Sequence, residues 1–255
     1  MPLRESKIIV LRSTHEIEKL RASNIIVAGI LQELKSNAKA GATTLDLERI
    51  CEEEIKKRKV AAAFKGYKGY PYCICTSVNE EVVHGMPGKR VLKEGDILSI
   101  DMGILYNGYY GDAAITVPIG RISEEAERLL EVTERSLYIG INEAKVGNRL
   151  FDIGASIQEY VEKNGFSVVR DFVGHGIGQS LHELPQVPNF GKRSKGVRLK
   201  AGMVLAIEPM INAGGSDVVI LNDGWTAVTK DGSLSAHFEH SVAITENGAY
   251  ILSKL

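Results

Sequence analysis

The sequence predicts an α+β fold in which helices cover one side of a largely antiparallel sheet. Three observations carry this. Segments come in the order helix, helix, strands, and then helix, helix, strands again; the strand segments are short and separated by Gly, Pro and Asn; and no Ser/Pro-rich linker or low-complexity stretch divides the two blocks. With 255 residues, 44% hydrophobic and 25% charged, the chain is an ordinary globular one, long enough to bury a core without disulfides. A single domain over residues 1–255 is expected, built from two similar halves, although the halves show no sequence identity.

The elements follow in order. Ser13 to Glu16 reads as a capping box, after which Ile17, Leu20, Val27, Leu31 and Leu34 recur at helical spacing to the Gly41 break, which predicts a helix over roughly 14–38. A second helix starts near Thr43 or Thr44, with Leu47, Ile50 and Ile55 on one face and a charged tail from Glu52 to Lys59. Strands are expected at 73–78, 82–84, 97–105 and 109–117, where β-branched and aromatic residues cluster. Ser123 opens a third helix carrying Leu129, Leu130, Leu137 and Ile141, and Asn148 a fourth through Ile153, Ile157, Tyr160 and Val161, stopped by Asn164-Gly165. Strand-like pieces return at 166–172, 203–209, 217–221, 225–230 and 236–252.

Charge and cysteine content exclude several classes. The 31 Lys and Arg nearly balance 32 Asp and Glu, so a net charge of -1 offers no global basic field for DNA or an anionic membrane. The three cysteines Cys51, Cys73 and Cys75 are an odd count, and Cys73-x-Cys75 is too tight for a CxxC site, which points to a reducing compartment. The N-terminal stretch has no apolar run of about 7–15 residues after a basic segment, and no window offers about 18 uncharged apolar residues. A cytoplasmic, non-membrane protein is expected.

Candidate chemistry begins in Asp96–Val117, where Asn107-Gly108 between two tyrosines is a two-residue hairpin signal. If Tyr106 pairs with Tyr109, residue 103 pairs with Asp112, and Asp101 and Asp112 become diagonal neighbours on one face; a bulge at the loop brings them directly opposite. Two close carboxylates on an apolar sheet repel unless one is protonated or a cation lies between them; the lesser alternative is that Asp112, after Gly111, is a turn aspartate at a strand edge. His175 and His182 sit in a glycine-flanked loop at a spacing that is not the i, i+4 of a helical zinc site, and His84 ends a strand in VVHGMP. Glu208 in MVLAIEPM and Glu239 in AHFEHSVAIT are glutamates at apolar strand positions, which are rare without a partner. Four carboxylates and an imidazole suit Mn²⁺, Fe²⁺, Co²⁺ or Zn²⁺ in an open site, and four carboxylates exceed what one divalent ion needs.

With these residues in hand, the chain resembles the methionine aminopeptidases of the short type I form from its first helix to its last strand. The motifs are NEEVVHGMP (79–87), SIDMG with YGDAA (99–114), GHGIGQSLHELPQVPN (174–189), AIEPM (206–210) and FEHSVAIT (238–245), in the family's order. The resemblance implies the two-half pita-bread fold with a curved sheet and the removal of initiator methionine from nascent chains. It also implies two divalent ions per chain, drawn from Co, Mn, Fe, Zn or Ni. Asp101 chelates one ion, Asp112 and Glu239 bridge both, and His175 and Glu208 complete the second site. Glu208 doubles as general base, His84 contacts the scissile nitrogen and His182 the carbonyl under attack. The implied methionine pocket is Tyr67, Tyr70, Cys75 and Trp225; a monovalent cation near Asn79 and Ser235, a monomeric state and transient contact with the ribosome are further implications.

There are departures from the family pattern. Phe64 stands where many bacterial members have a smaller residue, and Leu181 precedes His182 where an aromatic is common, so pocket breadth is the property they put at issue. The related prolidase and aminopeptidase P group carries an extra N-terminal domain, for which the 78 residues before Asn79 leave little room. A metal-free binding relative, or creatinase-like chemistry, expects a lost ligand, and none is missing. Type II members have a long insertion between the last two glutamates, whereas Glu208 and Glu239 are only 31 apart. With no zinc-finger or proline-rich extension, a bacterial-style minimal enzyme is expected.

Overall fold

The computed structural model describes residues 8–255; the first seven residues of the N-terminal stretch, in which no apolar run is expected, lie outside the described residues. Helix α1 (Thr14–Asn37) begins as the capping box requires: Ser13 Oγ accepts from the Glu16 amide, and the Glu16 carboxylate accepts from the Ser13 amide. Its stripe of Ile17, Leu20, Val27, Leu31 and Leu34 is buried. Helix α2 (Thr44–Arg58) uses Thr43 and Asp46 in the same way and ends at Lys59 in left-handed backbone.

The first block of strands is β1 (Ala61–Ala62), β2 (Ile74–Val78), β3 (Glu81–Val83), β4 (Ile97–Tyr106) and β5 (Tyr109–Pro118). Asn107 and Gly108, at φ 50° and 80°, make the expected tight turn, and β4 and β5 pair from Tyr106↔Tyr109 to Ile97↔Pro118 without a bulge.

The second block opens with α3 (Glu124–Glu143), capped by Ser123, and α4 (Leu150–Lys163). The start of α4 differs from expectation. Its N-cap is Arg149, whose amide donates to Asp152, while the Asn148 side chain donates to Glu143 O and Oε2 and so closes the end of α3. The strands are more broken than the apolar runs: β6 (Ser167–Val168), β7 (Gly174–Gly176), β8 (Glu183–Val187), β9 (Val204–Ile207), β10 (Met210–Asn212), β11 (Val218–Ile220), β12 (Ala227–Thr229), β13 (Ser235–His237), β14 (Glu239–Thr245) and β15 (Gly248–Ile251). Pro209, without an amide hydrogen, separates β9 from β10, and a turn at Glu246-Asn247 splits the predicted 236–252 run.

A nine-stranded antiparallel sheet runs β1-β4-β5-β14-β9-β7-β8, with β2 also on β4 and β15 also on β14. The two blocks meet at β5 and β14. Two three-stranded sheets, β13-β10-β6 and β11-β12-β3, complete the fold, the latter joining a first-block strand to second-block ones. One core forms where α1 and α2 cover Leu98, Ile100, Met102 and Ile104; another where α3 and α4 cover Leu205, Ile207, Val242 and Ile244; Ile115 packs against both. Each such fully buried aliphatic side chain contributes about 1.5–3 kcal/mol.

Candidate metal centre

The alternation that sends Ile100, Met102 and Ile104 against the helices sends Asp101 and Gly103 to the other face. Two cross-strand rows lie there. In the first, Asp101 pairs with Ala114 and Ala114 with Glu239, and one residue beyond the His240↔Ile207 pair Glu208 stands beside Glu239. In the second, Gly103 pairs with Asp112, Ser241 with Ala206, and Ala206 with His175. Five strands consecutive in the sheet, β4, β5, β14, β9 and β7, thus carry Asp101, Asp112, Glu239, Glu208 (one residue past the strand end) and His175. Small residues (Gly103, Ala114, Ala206 and Ser241) occupy the positions between them. Asp101 and Asp112 are diagonal neighbours, the unbulged alternative of the two considered.

His175 Nε2 lies 3.5 Å from Glu208 Oε1 and 3.8 Å from Asp112 Oδ2. Ligand atoms of Asp112, His175 and Glu239 all fall within 4.8 Å of one another. His175 Nδ1 donates to Gly176 O at 2.9 Å, which leaves the Nε2 lone pair facing the carboxylates, the tautomer a metal ligand needs. Asp101 Oδ1, Asp112 Oδ1 and Glu239 Oε1 are buried with no hydrogen-bond partner. Burial, with repulsion among the neighbouring carboxylates, pushes the Asp112 and Glu239 carboxyls well up. Burial also raises Asp101 and Glu208, opposed by His237 at the first and His175 at the second. Orphaned hard oxygens, crowded like charges and one oriented imidazole fit a divalent cation, which would remove both penalties and take the imidazole as a ligand.

A second group of possible ligands makes the contrast. Ligand atoms of Glu48, Glu52 and Cys73 also come within 4.8 Å, but both Glu48 oxygens accept from the Cys73 and Ile74 amides and Glu52 pairs with Lys65 at 2.6 Å. Its carboxylates already have partners. All three cysteines are free and buried.

Beside the five-residue cluster opens a cleft lined also by His84, His182, Tyr67, Tyr70, Cys75 and Trp225, so the metal, catalytic and pocket residues singled out from sequence converge here, while Asn79 and Ser235 are not among its lining residues. Phe64 and Leu181 line it too. Tyr67 stacks on His182 (ring centroids 5.2 Å), and His182 packs on His175 (4.2 Å). Tyr70 meets Trp225 edge-on at 5.0 Å and donates from its hydroxyl to Ile74 O and Gly85 O. His84 is held at φ 61°, a conformation costly for a residue with a Cβ, and the clamp is next door: Gly85 O accepts from Thr76 N and Tyr70 Oη, and Gly85 N donates to Ser77 Oγ. A Cβ on Gly85 would stand 2.3 Å from Thr76 O, so only glycine fits. Burial, with the nearby His237, pushes His84 down to about 4, leaving it neutral at pH 7.

Sequence reasoning missed Phe172, Val173, Met210 and Lys68 on the cleft wall, and His237 behind Glu208. Phe172 had a readable signal, an aromatic three residues before His175 and just ahead of its motif block, whereas His237 had none of its own, being one histidine in an apolar strand. Lys68 had none, since its place depends on the left-handed turn between Gly66 and Gly69.

The sequence pattern of one peptidase family matches residues 18–246. The chain belongs to metallopeptidase family M24. Within that family it is 55% identical to methionine aminopeptidase 1 of Bacillus subtilis over 97% of this chain and 100% of that protein. It superposes on the crystal structure of methionine aminopeptidase from Thermotoga maritima with a TM-score of 0.96 and 51% identity, covering 97% and 100% of the two chains. The prolidase of Pyrococcus horikoshii shares the fold alone, at TM-score 0.76 and 20% identity, and this chain spans 64% of its length. The pita-bread fold of M24, a curled antiparallel sheet backed by four helices, is therefore the fold of this chain.

Proposed function

We propose that this chain is a methionyl aminopeptidase that hydrolyses the first peptide bond of nascent proteins and peptides, releasing the N-terminal methionine where the second residue is small. One observation carries the reading: four carboxylates, three of them with an orphaned buried oxygen, and an oriented imidazole open onto a cleft with an apolar wall, in a chain 55% identical to a methionine aminopeptidase. Asp101, Asp112, His175, Glu208 and Glu239 would hold two divalent ions. Such ions supply a water of lowered pKa and a Lewis acid for the carbonyl.

The chain's own groups do the rest. Glu208, raised by burial, takes a proton from the attacking water and passes it to the departing amine. His182, at the rim beside His175, hydrogen-bonds the carbonyl oxygen as charge develops there, and neutral His84 contacts the scissile nitrogen. Tyr67, Tyr70, Cys75 and Trp225 pack the methionine side chain; the Cys75 thiol, pushed up by burial, stays uncharged and apolar. Residues 1–255 act as one catalytic domain. A monovalent cation by Asn79 and Ser235 rests on family likeness; the bond from Ser235 N to Asn79 O at 2.8 Å shows only that the two residues are neighbours. Family likeness alone supports a cytoplasmic monomer working near the ribosome; among the described residues, no helix is long and apolar enough to cross a membrane.

The test is hydrolysis of Met-Gly-Met by metal-free protein titrated separately with Co²⁺, Mn²⁺, Fe²⁺, Zn²⁺ and Ni²⁺. Methionine release that rises with added metal, saturates near two equivalents and disappears on chelation is expected. Release that survives chelation, or none with any of the five ions, overturns the reading.

A further inference from the structure

We propose that His237 is a positioning residue for Glu208, its Nε2–H holding one carboxylate oxygen so that the other is presented to the metal centre. The inference rests on the function proposed above, and it concerns a residue that neither the ligand set nor the methionine pocket includes. His237 ends β13 and is 1% exposed. Its Nε2 is buried with no hydrogen-bond partner and lies 3.6 Å from Glu208 Oε2, while the other Glu208 oxygen lies 3.5 Å from His175 Nε2. The carboxylate therefore sits between two imidazoles.

The backbone at His237 is fixed unusually well. Thr116 Oγ1 accepts from His237 N at 2.9 Å and donates to His237 O at 2.7 Å, and Ser99 Oγ meets the same hydroxyl at 2.8 Å. The Met210↔His237 pair sets the register from the other side, and Phe238 N donates to Pro209 O. Glu208-Pro209-Met210 and His237-Phe238-Glu239 thus cross from the nine-stranded to the three-stranded sheet together, side by side. An imidazole so anchored, with a bare buried nitrogen, bears a desolvation penalty unless it finds an acceptor. A movement of a few tenths of an ångström in the Glu208 side chain closes that bond. Once one Glu208 oxygen is engaged by a cation, the other needs a donor, and a ligating carboxylate held in this way binds metal more tightly.

The experiment compares His237→Leu, which removes the donor at similar volume, with His237→Gln, which keeps an N–H. The readouts are the Mn²⁺ dissociation constant of the metal-free protein by calorimetry, the visible spectrum of the Co²⁺-loaded protein, and kcat and KM for Met-Gly-Met. We expect His237→Leu to weaken Mn²⁺ binding about 10–100-fold, to alter the Co²⁺ bands and to lower kcat more than KM changes, with His237→Gln recovering most of the affinity. Affinity in His237→Leu within about twofold of the parent, or equal losses in the two variants, overturns the assignment. Should the leucine variant not fold, His237→Asn takes its place, being too short to reach Glu208 while keeping its polarity, with the same outcomes. A parent protein that itself binds no divalent ion overturns the proposed function first; a parent that binds and a leucine variant that binds equally well overturn this inference alone.

Discussion

The carboxylate cluster and the apolar pocket share one cleft but are held in place by different means. Asp101, Asp112, His175 and Glu239 stand on paired strands, where register and two-residue alternation fix which face each side chain takes. The pocket wall comes mostly from connections: Tyr67 and Phe64 from the turn around Gly66, Lys68 and Gly69, all in left-handed backbone, and Trp225 from the tip between β11 and β12, where Asp223 Oδ1 accepts its amide. A one-residue slip in the sheet would destroy the cluster by moving its side chains to the helix face. A change in the connections alters only which side chain the pocket receives. The difference teaches that chemistry here is tied to the most cooperative part of the fold, and selectivity to its most adjustable part.

The largest effect should come from breaking the cluster side of that contrast. Glu208→Gln is expected to lower kcat for Met-Gly-Met by about 10²–10⁴-fold with little change in KM, the span of a lost general base. Steady-state kinetics at saturating metal check it; near-parental kcat would remove Glu208 from the mechanism. Next in size, Ala114→Leu inserts bulk between Asp101 and Glu239 in their shared row. Overpacking of about 1–3 kcal/mol should appear as a roughly 10–100-fold loss in metal affinity by titration calorimetry, and an unchanged affinity would contradict the row geometry.

A pocket change should leave the chemistry intact. Phe64→Ala widens the wall, so kcat/KM for peptides beginning with leucine or phenylalanine should rise about tenfold relative to methionine peptides, without loss of metal binding. A uniform fall for all peptides would place Phe64 outside the side-chain pocket. The smallest effect concerns the scaffold beneath both walls. Hydrogen bonds from the Ser13 amide and hydroxyl, with Tyr109 Oη, hold Glu16 down from 4.5 to about 2. The ionised form is therefore favoured by folding, so its contribution is complete above pH 4.5 and is lost as pH falls through about 2. Glu16→Gln should cost about 1 kcal/mol at pH 7, read from urea unfolding, and the gap to the parent should close near pH 2. A gap independent of pH would show that packing, not charge, is what the substitution disturbs.

Much of this was written locally. The capping boxes, the Asn107-Gly108 turn and the helix stripes are contacts between residues a few positions apart, and each is legible because its partners share a short window. The same locality placed Asp101 and Asp112 as diagonal neighbours. It misled at Asn148, whose side chain closes α3 while Arg149 caps α4, because an asparagine near two helix ends is ambiguous until both ends are built. It failed for His237, since a histidine in a strand announces nothing until Glu208, 29 positions earlier in the chain, arrives beside its Nε2.

By itself, the sequence determined most of the elements and their order in two blocks, the donor types of the site and, through its motifs, the family; it did not determine β1, or β7 and β8, which form around His175 where a glycine-flanked loop is expected. Tertiary structure alone decided that β14 would lie between β5 and β9, bringing Asp112, Glu239 and Glu208 together, and that an oxygen of Asp112 and one of Glu239 would be left buried and unpaired. The physical reason is range. Periodicity and capping act within one or two turns of chain, whereas strand order and the desolvation of a carboxylate depend on which distant segment comes to cover it.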